Sequence, residues 1–221
     1  MPKVTINNAE FYYEQFGQGQ PIILIAGYSC DHHIWDAVAS ELSRFFQVIK
    51  FDNRGVGQTQ DNAILLTAEL MAQDVMALSR ALGLNKPHIV GQSMGGTIAQ
   101  VVASQYPQEI SKLVILTSSA KWRIAMLKGL QSSLLMRKKN IDFDLVFNVN
   151  IPWVFGEKFL QDPDKIQAVK QLILEDPFPQ SVADQMRQFQ VLEAFDGRGY
   201  LAKIKAPTLI VHGSILLVDL F

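Results

Sequence analysis

The sequence predicts an α/β protein: a mostly parallel, doubly wound sheet with an N-terminal antiparallel hairpin and an inserted helical cap. Three observations carry this expectation. A short apolar run bounded by glycine and proline at residues 22–26 has the pattern of a strand buried on both faces, a further apolar run follows at 113–116, and the parallel-sheet pattern resumes at 206–211. Segments with apolar residues at helical spacing alternate with them, as right-handed βαβ crossovers require. Between residues 119 and 205 the short apolar strands disappear, and aromatic, helix-spaced segments broken by Pro152, Pro163, Pro177 and Pro179 take their place. The expected division is therefore 1–118 plus 206–221 as the sheet core, with 119–205 inserted as the cap.

In chain order, residues 3–6 and 10–15 alternate polar with apolar or aromatic side chains around Asn7-Asn8, a hairpin with one wet face. After Gly17, Gly19 and Pro21, residues 22–26 form the first buried strand. Asp31 is placed to cap a helix carrying Trp35, Val38, Leu42 and Phe45 at helical spacing. Residues 47–51 form the next strand and deliver the loop 52–57. A helix over 67–82 puts Leu70, Met71, Val75, Leu78 and Leu82 on one side and stops at Gly83. A strand from Pro87 then turns sharply into a helix that ends before Pro107. Inside the cap, helices are expected over 122–137, 141–148, 163–174 and 180–195.

With 221 residues, 48% of them hydrophobic and 19% charged, the chain can bury one large core. Twenty basic against 21 acidic residues give a net charge of −1, which favours neither nucleic acid nor an anionic membrane as partner. The run Arg137-Lys138-Lys139 reads as a solvated helix end. The lone cysteine, Cys30, cannot form an internal disulfide and suits a reducing compartment as an ordinary free thiol. The amino terminus enters a strand pattern at once, with no export signal, and no apolar run nears the ~20 residues that span a bilayer. A cytoplasmic protein is expected.

The chemistry concentrates at Gly91-Gln92-Ser93-Met94-Gly95, a G-x-S-x-G pattern between an apolar strand and a helix. Ser93 is the candidate nucleophile; Gly91, Gly95 and Gly96 are the glycines its turn requires. Phosphate-binding alternatives fail, because no lysine follows the glycines and Gly55-Val56-Gly57-Gln58-Thr59-Gln60 lacks a third glycine.

From about Glu10 to Ser214 the sequence resembles the α/β-hydrolase fold enzymes, in particular the small cap-bearing esterases, enol-lactonases and cofactor-free haloperoxidases. Residues 91–96 resemble that family's nucleophile elbow, with Gln92 where histidine is usual. Asp52-Asn53-Arg54-Gly55-Val56-Gly57-Gln58-Thr59 is similar to its D-x-R-G-x-G-x-S loop. Ile25-Ala26-Gly27-Tyr28, with Trp35 downstream, resembles its H-G-x segment, Ala26 replacing the histidine. Residues 205–213 resemble the strand that returns from the cap.

The resemblance implies an acyl-enzyme on Ser93 and an oxyanion hole from the backbone N–H groups of Met94 and Tyr28. The expected partner is a small-molecule ester, lactone or thioester, with no cofactor and no metal; no motif speaks to oligomeric state. Arg54 and Asp52 are expected to tie the loop together rather than bind substrate. Trp122, Phe143, Phe147, Trp153 and Phe155 are expected to pack the cap, some facing the pocket.

Acid and base do not follow the family pattern. The expected acid position is Leu216, and the one remaining carboxylate, Asp219, stands at the wrong spacing. The position after the preceding strand, Thr117-Ser118-Ser119, is empty of carboxylates. The family's histidine belongs after one further strand, which the chain does not reach. His88 is expected at the far end of the nucleophile strand and His212 inside or just ending a strand. His32 and His33 are expected to be surface or helix-capping residues. The base is thus unassigned, and impaired hydrolysis is expected; the alternative is a truncated or frameshifted, non-catalytic chain that keeps only a ligand-binding pocket.

Overall fold

The computed structural model describes residues 2–213. Its seven strands are β1 (Lys3–Ile6), β2 (Ala9–Phe16), β3 (Gln20–Ile25), β4 (Phe46–Phe51), β5 (His88–Gln92), β6 (Leu113–Leu116) and β7 (Thr208–Val211). They form one sheet in the order β1-β2-β4-β3-β5-β6-β7. The β1–β2 hairpin is antiparallel, β2 pairs antiparallel with β4, and the other neighbours are parallel. Asn7 and Asn8 make the hairpin turn with positive φ, which asparagine tolerates better than most residues.

Alternation along β3 shows both faces covered. Ile23 and Ile25 point into the larger core cluster with α2 (Ala68–Ala81) and α3 (Met94–Gln105); Ile22, Leu24 and Ala26 point into a second cluster with Trp35 and Ala39. Burying apolar side chains on both faces removes any wet face the strand might show, which is why it reads as a continuous apolar run. Thr67 caps α2 by accepting from the Leu70 N–H, and Gly83 follows in the left-handed region, as the sequence predicts. α1 (Asp36–Leu42) is shorter than expected: Asp31 caps a 3-10 turn, His32–Trp35, that precedes it. Trp35 is buried, but Val38 and Phe45 face outward at 46% and 70% exposure, so the helix buries a narrower stripe than its spacing suggests.

Six helices lie between β6 and β7: α4 (Ile124–Lys138), α5 (Phe143–Val154), α6 (Glu157–Leu160), α7 (Pro163–Leu174), α8 (Val182–Ala194) and α9 (Arg198–Leu201). α5 runs past its expected end and carries Pro152 inside it. Among the described residues β7 pairs with β6 alone, and Leu209 and Ile210 are 57% and 67% exposed, so this strand is apolar without being buried. No helix among the described residues is long and apolar enough to cross a membrane.

Candidate active site

Ser93 sits between β5 and α3 with φ 54° and ψ −117°, a backbone conformation that costs a non-glycine residue of order 1–3 kcal/mol. The surrounding structure enforces it. Its N–H donates to the Leu116 carbonyl at 2.9 Å, and its carbonyl accepts from the Ser118 hydroxyl at 2.7 Å and from the Gly96 and Thr97 N–H groups at 2.9 and 3.2 Å. Both backbone groups of Ser93 are thus paired, while the half-buried side chain stands at the carboxyl edge of the sheet. A Cβ on Gly91 would strike the Gly95 carbonyl, one on Gly95 the Ile25 carbonyl, and one on Gly96 the Ser118 side chain. Gly91 and Gly95 are therefore demanded by close backbone approach, and Gly96 by the Ser118 side chain that holds the Ser93 carbonyl.

The loop after β3 meets the same point. A Cβ on Gly27 would collide with Gln92 Oε1 and lie 3.1 Å from Ser93 Cβ, which puts Tyr28 next to the serine. Neither the Tyr28 nor the Met94 backbone N–H has a hydrogen-bond partner among the described residues. Two unpaired donors beside a serine at a helix N-terminus are suited to receive developing negative charge. The Tyr28 hydroxyl is also buried without a partner, and burial pushes its pKa up to about 12. Cys30, three residues beyond Gly27, has a thiol pushed up to about 11 by burial and by Asp31, so it is protonated at neutral pH and inert as a nucleophile.

The histidines lie elsewhere. His32 is buried, not at the surface: its N–H donates to Asp52 Oδ1 at 2.8 Å, its Nδ1 lies 2.7 Å from the same oxygen, and its Nε2 is 3.5 Å from Glu14 Oε1 on β2. Asp52 follows β4, and β3 stands between β4 and β5; two steps at the usual strand spacing make about 10 Å. Burial works to lower the pKa of His32, but the Asp52 hydrogen bond and charge, helped by Asp31 and Glu14, carry it above the ordinary 6.5. His33 is exposed, at the surface as expected, with its Nδ1 2.8 Å from an oxygen of the capping Asp31.

His88 begins β5, five residues or about 16 Å of strand from Ser93. Its ring packs on Phe46, and burial, with Lys112 nearby, lowers its pKa. His212 follows β7, exposed, with Nδ1 3.0 Å from the Gly213 carbonyl oxygen. Thr117 N–H donates to the Val211 carbonyl, which sets His212 level with Ser93 but two strands away, about 10 Å. Among the described residues no histidine is hydrogen-bonded to Ser93. Leu216 and Asp219 lie outside the described residues. After β6, Ser118 serves the elbow carbonyl and Ser119 donates to the Lys121 carbonyl, so no carboxylate stands there.

Asp52 and Arg54 are ties. Asp52 Oδ2 accepts from the Gln58 N–H, and the Asp52 carbonyl accepts from the Thr59 hydroxyl. Arg54, fully buried, donates from Nε and Nη2 to both oxygens of Asp74 at 2.6 and 2.9 Å, and from Nη2 to the Asn7 carbonyl. Of the aromatics between β6 and β7, Phe147 is buried and stacks on Phe143, and Trp122 donates from its ring N–H to Thr97, one turn beyond Ser93. Phe155 stacks on Phe159, while Trp153 is 44% exposed. A cleft of about 290 Å³ opens between the loop 55–63 and the start of α8, lined by Gly55, Asp61, Phe178 and Ser181 but not by Ser93.

A row of polar side chains on α8 was not legible as functional. Gln188 bridges Ser29 and Arg54, Gln185 donates to the Ser29 hydroxyl, and Arg187 pairs with Asp61 and Asp184. The one available signal is that Gln185 and Gln188 occupy the same helical stripe as Phe189 and Leu192.

A serine on a strained strand-to-helix turn, at the carboxyl edge of a mostly parallel sheet with helices on both faces, defines an α/β protein of hydrolase architecture. The sequence pattern of the alpha/beta hydrolase fold matches residues 20–215. An AB hydrolase superfamily protein of Bacillus subtilis is 32% identical over 219 residues, covering 95% of this chain and 79% of the relative. A 3-oxoadipate enol-lactonase of Acinetobacter baylyi is 30% identical over 184 residues, covering 83% and 66%. Among solved structures, a thermophilic esterase from Thermogutta terrifontis superposes with a TM-score of 0.80 at 28% identity, covering 96% of this chain and 80% of that one. The chain belongs to the α/β hydrolase fold family.

Proposed function

We propose that the chain is a serine hydrolase of the carboxylic-ester type, acting on a small ester, lactone or thioester through an acyl-enzyme on Ser93. The observation that carries this is the strained, fully paired backbone of Ser93 beside the unpaired N–H groups of Tyr28 and Met94. Ser93 Oγ attacks the acyl carbonyl, and its oxygen takes the developing charge between the two N–H groups, one such donor being worth about 3 kcal/mol of barrier. Because both donors are backbone groups, replacing either side chain leaves the donor in place. The esterase and lactonase named among the similar proteins support the ester and lactone class. The helices between β6 and β7 serve in this reading as a cap over the site. A cytoplasmic setting fits the lone Cys30.

Acylation also needs a base for the serine proton, and the described histidines are held away from Ser93. Without one of them as base, turnover through Ser93 is slow. The same placement supports a second reading, a ligand-binding pocket without turnover. Hydrolysis of a nitrophenyl acyl ester, measured against Ser93→Ala, separates the two: slow hydrolysis that the substitution removes supports the hydrolase, and equal rates in both proteins support the pocket alone.

A further inference from the structure

We infer that Gln188, on the inserted helix α8, is a positioning residue that fixes the oxyanion-donating peptide of Tyr28. The inference rests on the proposed role of Tyr28. Gln188 is completely buried. Its Oε1 accepts from the Ser29 N–H at 3.0 Å and its Nε2 donates to the Arg54 carbonyl at 2.9 Å, contacts spanning 159 and 134 residues of sequence. A buried amide bridging two backbone groups of different loops holds them at a set separation, since either group left unpaired would keep its desolvation penalty.

The two loops are unequal. The loop of Arg54 is rigid, because its guanidinium is locked on Asp74 and its neighbour Asp52 is pinned by Gln58, Thr59 and His32. The loop of Ser29 is the strained one. Ser29 has φ 57°, in the left-handed region, and Cys30 closes a tight turn on the Gly27 carbonyl. Tyr28 is thus bracketed in the chain: Gly27 is pressed against Gln92 and Ser93, and Ser29 is held by Gln188. Gln185 adds a second tie to the Ser29 hydroxyl and is itself held by Arg137. Without Gln188 the strained turn relaxes, and the Tyr28 N–H loses its aim at the point beside Ser93. The inserted helix thereby contributes to the geometry of the site through a residue that touches neither the serine nor the acyl group.

Phenylboronic acid tests this without turnover. Its boron bonds to Ser93 Oγ as the serine proton passes to buffer, and the resulting tetrahedral boronate places an oxygen in the oxyanion hole. Gln188→Leu is expected to weaken its binding about tenfold or more. Gln188→Glu is the diagnostic variant. At pH 8 its carboxylate still accepts from Ser29 but faces the Arg54 carbonyl without a proton to donate; burial raises its pKa, so as pH falls the neutral carboxyl regains both bonds. Its deficit relative to the unsubstituted protein at the same pH should shrink to within about threefold by pH 5.5. A leucine variant that binds as tightly as the original protein, or a Gln188→Glu deficit that does not change with pH, overturns the inference.

If the unsubstituted protein fails to bind the boronate, the role of Ser93 and Tyr28 is what fails. Amide hydrogen exchange then decides the positioning claim by itself. Exchange at Ser29 and Cys30 that quickens at least tenfold in Gln188→Leu, with α3 unchanged, supports it; unchanged exchange in the loop overturns it.

Discussion

His32 Nδ1 lies 2.7 Å from Asp52 Oδ1, and this buried pair faces Glu14 on β2, with β3 between β4, which Asp52 follows, and β5, which leads to Ser93. A histidine oriented by a carboxylate has the local form of a catalytic base. Its position makes it a structural tie between the loop after β3 and the loop after β4. Among the described residues this carboxylate-held imidazole is not hydrogen-bonded to Ser93.

The tie should be visible in stability against pH. Asp52, Asp31 and Glu14 raise the pKa of His32 above 6.5 despite burial. A raised histidine stabilises the fold in full below its unfolded pKa, near 6.5, and the contribution fades as pH climbs through the folded value. His32→Asn should therefore cost more stability at pH 5.5 than at pH 8.5 in urea unfolding. Equal costs at both pH values would show that the pKa of His32 does not differ between the folded and unfolded protein.

The Arg54–Asp74 pair predicts an asymmetric result. Both side chains are buried and joined by two hydrogen bonds. Asp74→Ala leaves an uncompensated buried guanidinium and should cost about 3–5 kcal/mol. Replacing both, as Arg54→Met with Asp74→Leu, should cost clearly less than the single change in the same denaturant titration.

Two glycine-to-alanine changes should have opposite signs. Gly95→Ala drives a methyl into the Ile25 carbonyl and should destabilise by about 3 kcal/mol. Gly129→Ala, in the interior of α4 with its nearest neighbour atom 3.8 Å away on Trp153, should stabilise by about 0.5–1 kcal/mol through helix propensity. Thermal unfolding of the two variants reads both signs.

Relief of the elbow is separable from chemistry. Ser93→Gly removes a side chain from a backbone conformation glycine adopts freely and should stabilise the fold by about 1 kcal/mol, whereas Ser93→Ala keeps the strain. Equal stability of the two variants would mean that the turn stores no strain.

The sheet was readable because its signals are local. The apolar run of β3, the hairpin at Asn7-Asn8 and the G-x-S-x-G turn each declare themselves within a few residues, and all stand where the sequence puts them. Exposure was less readable. Val38 and Phe45 look like core positions by spacing but point outward, and Leu209 and Ile210 belong to a strand with one neighbour among the described residues. The ties around the site were hidden for a different reason. His32 meets Asp52 across 20 residues and Gln188 meets Ser29 across 159, and no periodicity encodes which distant polar groups a fold will bring together.

The most direct measurement is the mass of the protein through a time course with a fluorophosphonate probe, followed by location of any adduct. The expected result is one adduct at Ser93, absent from Ser93→Ala, that forms slowly because no described histidine reaches the serine hydroxyl. Rapid, stoichiometric labelling of Ser93 would contradict the proposed lack of a base among the described residues, and labelling at any other residue would contradict the proposed nucleophile.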